Sequence, residues 1–87
     1  MPKLWSDDAW KDYLWWQSQD KRTLKRINKL VEDAQRNPYE GLGKPEKLKD
    51  SLSGLWSRRI NEKDRLIYDV QGDTIRIYSA GSYYSDK

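Results

Sequence analysis

The sequence predicts an α+β fold in which two helices pack on a twisted antiparallel sheet, in the order β-α-α-β-β-β. Two patterns carry this expectation. Between residues 9 and 34 apolar side chains recur at helical spacing, and after residue 54 apolar and polar side chains alternate as in strands. Helices first and strands afterwards is the order of an α+β domain rather than of a doubly wound sheet. The 87 residues read as a single domain, 1–87, and a chain this short buries only about 60–65% of its unfolded surface. Five Trp and six Tyr, with no Phe, supply the bulk that such a core needs. Because 36% of residues are charged and only 36% hydrophobic, some of those rings are expected to stay partly exposed.

Lys3-Leu4-Trp5 reads as a short first strand. Ser6 follows as an N-cap, with Asp7 and Asp8 in a first helical turn whose partial positive charge favours acids. Helix one runs to about Ser18, with Trp10, Tyr13, Leu14 and Gln17 at helical spacing and Trp15 and Trp16 widening the apolar face. Asp20 is a second N-cap. Leu24, Ile27, Leu30, Val31 and Ala34 form one stripe of helix two, which stops at Asn37-Pro38. Helix two carries its charges backwards: Lys21, Arg22, Lys25, Arg26 and Lys29 crowd its first half, and Glu32 and Asp33 sit near its end. This opposes the helix dipole at about 0.3–1 kcal/mol per misplaced end charge. Five basic residues in nine positions fit a polyanionic partner as well as they fit a solvated face.

Gly41, Gly43 and Pro45 mark a loop that carries Glu46 at or near its end. Three strands follow, near residues 55–60, 64–70 and 74–80. A two-residue turn at Gln71-Gly72 pairs Val70 with Asp73 and puts Leu66, Tyr68, Val70, Ile75 and Ile77 on a core face. Arg65, Asp69, Arg76 and Tyr78 then lie on a wet face, with Ile67 as the apolar exception. A three-residue loop of Asn61, Glu62 and Lys63 pairs Ile60 with Asp64 and sets Arg59 opposite Arg65. Like charges so opposed destabilise a ladder, and the arrangement makes sense if an anion sits between them.

The run from Gly43 to Arg65 places Glu46 among Lys44, Lys47, Lys49, Arg58, Arg59 and Arg65. A lone carboxylate in a basic, aromatic segment suits metal-free RNA cleavage. One base takes a proton from a ribose 2′-hydroxyl, and cations hold a phosphate whose charge grows in the transition state. The chain has no His and no Cys, so catalysis would run on Glu, Lys, Arg and Tyr, without thiolate chemistry or a disulfide framework. No Asp/His cluster calls for a metal, and no cofactor is expected. No apolar run approaches the ~18 residues of a membrane span, and no signal-peptide pattern opens the chain, so a cytoplasmic protein is expected. Net charge is +3, but its clustering points to a polyanionic partner. Trp56 reads as core rather than as a base-stacking platform.

The segments WSDDAW (5–10), DKRTLKRINKL (20–30), GLGKPEKLK (41–49), LSGLWSRRI (52–60) and RLIY (65–68) resemble the YoeB-type toxins of the RelE/ParE superfamily. The resemblance covers residues 3–84 and implies a microbial-ribonuclease-like, RelE-like fold. It further implies a bacterial type II toxin that cuts mRNA in the ribosomal A site and is neutralised by an antitoxin of the YefM/Phd type. Carried over by position, it makes Glu46 the base, Arg65 the transition-state arginine, and Arg59 and Lys49 the phosphate-binding support. Lys21, Arg22, Lys25, Arg26 and Lys29 would dock on the 70S ribosome, and the family together with the Trp-rich first helix implies a homodimer. The departure is carboxyl-terminal. The family closes with a His-Tyr pair, its His the general acid, whereas this chain has Tyr83-Tyr84. A phenol of pKa ~10 is a reluctant acid at neutral pH. The alternative is therefore an attenuated toxin-fold module that binds ribosome and antitoxin without efficient cleavage. A ParE-like gyrase poison is a third reading, disfavoured by Glu46 and Arg65.

Overall fold

The structure is a computed structural model and describes residues 1–81. It contains β1 (Lys3–Trp5), α1 (Asp7–Gln19), α2 (Lys21–Arg36), β2 (Glu46–Lys47), a 3-10 turn (Asp50–Leu52), β3 (Trp56–Arg59), β4 (Arg65–Gln71) and β5 (Thr74–Gly81). Caps set the helices. Ser6 Oγ accepts from Ala9 N at 3.0 Å, satisfying one of the amides that a helix start leaves unpaired. Asp20 closes α1 through its N–H to Trp16 O (2.9 Å) and opens α2 by accepting from Arg22 N and Thr23 N. One residue thus makes the whole turn. Tyr13 Oη donates to Asn28 Oδ1 at 2.8 Å, nearly equidistant from Asp20 in sequence, so the helices run antiparallel.

Ile27, Leu30, Val31 and Ala34 of α2 form one buried cluster with Leu66, Tyr68, Ile75 and Ile77. The face assignment of the strands therefore stands, but the hairpin differs. Gln71 pairs with Thr74 and Val70 with Ile75, so the turn residues are Gly72-Asp73, not Gln71-Gly72. Gly72 sits at φ +60 at the first central position, where a tight hairpin turn needs glycine. Moving a strand partner by two residues leaves every side chain on its face, because the strand period is two.

The sheet order is β1-β5-β4-β3-β2, and it is mixed rather than wholly antiparallel. β1 runs parallel to β5, pairing Trp5 with Ile77; the two helices supply the long crossover that a parallel pair requires. Glu46–Lys47 adds a short edge strand on β3 where a loop was expected. A bulge at Tyr78 separates the Ile67–Ser79 pair from the Tyr68–Ile77 pair. Past that bulge β1 has ended, and α1 takes over the outer edge of β5. Asp12 Oδ2 accepts from Ala80 N (2.9 Å), and Trp16 Nε1 donates to Ala80 O (2.7 Å).

These two bonds fix the rotation of α1. Ala9, Tyr13 and Trp16 turn inward, while Trp10, Leu14 and Trp15 stay 47%, 45% and 55% exposed. The apolar face expected of helix one is thus rotated, and the helix straddles the sheet edge. The second sheet face is correspondingly not all wet, because Ser57, Ile67 and Ser79 on it are buried.

Candidate active site

Register alone assembles the site. Glu46 on β2 opposes Ser57 on β3, Ser57 opposes Ile67 on β4, and Ile67 opposes Ser79 on β5. Arg59, Arg65 and Gly81 form the adjacent row. Directly opposed residues project from the same face, so Glu46, Arg59 and Arg65 share the face away from α2. By strand geometry the rows are about 7 Å apart, and Glu46 and Arg65 are two strands, about 10 Å, across the sheet. A phosphate with its ribose fits across that span.

Arg65 is half-buried and held at one end. Its Nη1 donates to the carbonyls of Asn61 (2.9 Å), Glu62 (3.2 Å) and Asp64 (3.1 Å). The loop offering these carbonyls is shaped by Asn61, whose Oδ1 accepts from Lys63 N and Asp64 N and whose Nδ2 donates to Asp64 Oδ2. Among the described residues no carboxylate pairs with Arg65, which leaves the rest of its fork for an anion. Arg59 is exposed, and its amide donates to Gly43 O at 2.7 Å. Gly43 has φ +79, and a Cβ there would lie 2.8 Å from Leu30 Cδ2, so only glycine fits. Lys44 follows in a left-handed conformation (φ +52) unusual for a side-chain-bearing residue. This pinned corner delivers the chain to Glu46. Lys49 lies exposed just beyond β2, at the start of the 3-10 turn.

Arg58 does not belong to this face. Strand alternation turns it to the opposite side from Arg59, and it is 0% exposed. All five of its N–H groups are used. Nε donates to Tyr68 Oη (2.9 Å), Nη1 to Asp33 Oδ2 (2.7 Å) and Leu42 O (3.1 Å), and Nη2 to Asn37 O (2.5 Å) and Glu40 O (3.0 Å). Leu42 N and the Arg58 guanidinium both donate to Asp33, and they hold its carboxyl below the usual range. Burial raises the Tyr68 phenol, which donates to Pro38 O at 2.6 Å. The backward placement of Asp33 on helix two is thereby explained, since its partner is a buried arginine and not the helix dipole. The sequence pattern missed this hub; alternation at residues 58 and 59, with an acid misplaced at 33, was the available signal.

Of the helix-two cations, Lys21, Arg22, Lys25 and Lys29 are exposed. Arg26 is half-buried and donates through Nη2 to Arg59 O at 3.0 Å, so it ties the helix to β3 instead of standing free for a partner. None of these residues is on the Glu46 face. Tyr83 and Tyr84 lie outside the described residues.

Beside the Glu46 row runs a groove of about 500 Å³, a size that suits a small ligand or nucleotide group. Ile67 and Ser79 line its floor, Leu52 and Leu55 one wall, and Asp8 and Asp12 of α1 the other. Among the described residues no three or more His, Cys, Asp or Glu stand where they could hold a metal. No helix among them is long and apolar enough to cross a membrane.

The fold is that of the YoeB/ParE toxins. The YoeB/ParE toxin from Agrobacterium tumefaciens is similar at TM-score 0.92 and 39% identity, covering 94% of this chain and 98% of that one. YoeB of Staphylococcus aureus, solved as a dimer and in a heterotetrameric YoeB-YefM toxin-antitoxin complex, is similar at TM-score 0.87 and 44% identity over 93% of this chain and 94% of that one. Toxin YoeB of Escherichia coli strain K12 is 51% identical over 84 residues, 97% of this chain and all of that one. The YoeB-like toxins of bacterial type II toxin-antitoxin systems match residues 5–84, and the chain belongs to that family.

Proposed function

We propose that this chain is a ribosome-dependent endoribonuclease that cuts mRNA in the A site of the 70S ribosome. The observation that carries the reading is the shared sheet face of Glu46 and the opposed Arg59–Arg65 pair. Two cations facing each other there, without a carboxylate between them among the described residues, form a phosphate seat. In the reaction, the Glu46 carboxylate takes the 2′-hydroxyl proton and the 2′ oxygen attacks phosphorus. Arg65 and Arg59, supported by Lys49, hold the nonbridging oxygens as charge builds on them. The bond to the 5′ oxygen breaks and that oxygen takes a proton, giving a 2′,3′-cyclic phosphate and a 5′-hydroxyl. Tyr83 or Tyr84 is the donor on the protein side. No step draws on a metal or cofactor.

The chain would act in the bacterial cytoplasm, dimerise and be neutralised by a YefM-like antitoxin. The dimeric and YefM-bound relatives from S. aureus support this. Primer-extension mapping of mRNA in a translation extract tests the activity; binding to ribosomes without cuts would favour the attenuated module instead.

Two further variants probe this reading. Tyr83→His is expected to speed cleavage at least about tenfold, because an imidazole of pKa near ~6.5 is matched to neutral pH where a phenol is not. A variant no faster than the parent would move the acid to Tyr84 or to the ribosome. The second variant neutralises Lys21, Lys25 and Lys29 and leaves the structural Arg26 in place. It is expected to weaken ribosome binding and flatten its log–log salt slope by roughly 2–3, since fewer counterions are released. An unchanged slope would mean these lysines form only a solvated face.

A further inference from the structure

The row Glu46–Ser57–Ile67–Ser79 contains two buried hydroxyls, at 4% exposure for Ser57 and 5% for Ser79. They are not equivalent. Ser79 Oγ reaches Asp12 Oδ2 at 3.4 Å. Ser57 Oγ has no side-chain hydrogen bond among the described residues, and a buried donor without an acceptor is costly enough that folded proteins rarely keep one without a use. Its neighbour on β4, Ile67, has no side-chain acceptor. Its neighbour on β2 is Glu46, whose Cβ lies about 4.5–5.5 Å away in such a cross-strand pair.

We propose that Ser57 is the residue that orients the catalytic base, donating its hydroxyl hydrogen to one oxygen of the Glu46 carboxylate and leaving the other for the ribose 2′-hydroxyl. The proposal rests on the reading of Glu46 as that base. The two side chains are not joined in this structure, where Glu46 extends exposed at the sheet edge. Rotation about its flexible side chain lays the carboxylate over its cross-strand neighbour. A neutral donor suits the task. Bound to Lys44, Lys49 or Arg59, Glu46 would be drawn outward as half of an ion pair, whereas a serine fixes it over the sheet and leaves its charge uncompensated for proton abstraction. Ser57 is thus a positioning residue that touches the base and not the substrate.

Charged groups surround Glu46 on several elements. Arg59 and Arg65 share its face, Lys44 precedes it, and Lys49 and Asp50 follow it. Asp8, Lys11 and Asp12 of α1 line the groove beside its row. None of them changes in a Ser57 variant, so a difference in rate between variants reports the hydroxyl.

The test is single-turnover cleavage across ribosome concentrations for the parent, Ser57→Ala and Ser57→Thr at one pH, which separates the chemical step from docking. Ser57→Ala is expected to slow cleavage about tenfold at neutral pH through misorientation of the base. The ribosome concentration at half-saturation is expected to stay unchanged, because the loss lies in the chemical step. Ser57→Thr, which keeps the hydroxyl, is expected to restore the rate. A parent-like rate in Ser57→Ala, a loss confined to the ribosome concentration at half-saturation, or a Thr variant that behaves as Ala would each overturn the proposal. Loss of cleavage in Glu46→Gln alongside any of these would show that the base assignment survives and the serine role does not.

Discussion

Arg58→Met is expected to cost about 3–5 kcal/mol of folding stability, the range for removing one partner of a buried ion pair. The size follows from what is left behind. Asp33 keeps Leu42 N but loses its cation, and the carbonyls of Asn37, Glu40 and Leu42 lose a donor inside the fold. Urea unfolding measures the loss, and Arg58→Met combined with Asp33→Leu should recover part of it, because the second change removes the stranded charge. If Arg58→Met alone unfolds within about 1 kcal/mol of the parent, the hub is ornament rather than support. Acid should reveal the same network. The Asp33 carboxyl is depressed in the folded state, first by Leu42 N–H and then by Arg58. Its contribution is therefore complete above the ordinary carboxylate pKa of about 3.9 and is lost as pH falls through the lower folded value. Asp33→Asn should flatten that acid limb of the stability curve.

What the sequence made legible and what it hid divide along one physical line. Period and caps are local. Ser6 and Asp20 were readable as caps because each bonds an amide two or three residues away. The core face of β4 and β5 was readable because the strand period survives a misplaced turn. The opposed arginines followed from loop length alone, and the structure pairs Arg59 with Arg65. Long-range satisfaction of polar groups was not readable. Nothing near Trp16 in sequence says that its indole will bond Ala80 O, 64 residues away, and that bond decides which face of α1 is buried. Arg58 looked like one more cation near Glu46 because composition has no sides. Only the strand register turns it through the sheet and reveals Asp33 and Tyr68 as its partners. The parallel pairing of β1 likewise depends on which edge of β5 lies free after β4 has paired.

The same register makes the proposed roles of Glu46 and Arg65 testable, because it places the two on one sheet face. Glu46→Gln keeps size and hydrogen-bonding capacity but cannot take a proton, and cleavage is expected to fall by about 10²–10⁴, the worth of a positioned general base. Arg65→Ala removes the fork that faces the growing phosphate charge and is expected to cost at least about 10²–10³. Arg65→Lys should rescue little, because a point charge replaces neither the guanidinium fork nor its three bonds to the loop carbonyls. Both residues sit away from the buried cluster and from the Arg58 hub, so unfolding midpoints should move far less than in Arg58→Met. Saturating ribosomes and single turnovers separate the chemical step from docking. A Glu46→Gln variant that cleaves at the parent rate would place the base elsewhere, and with it the whole assignment of this sheet face.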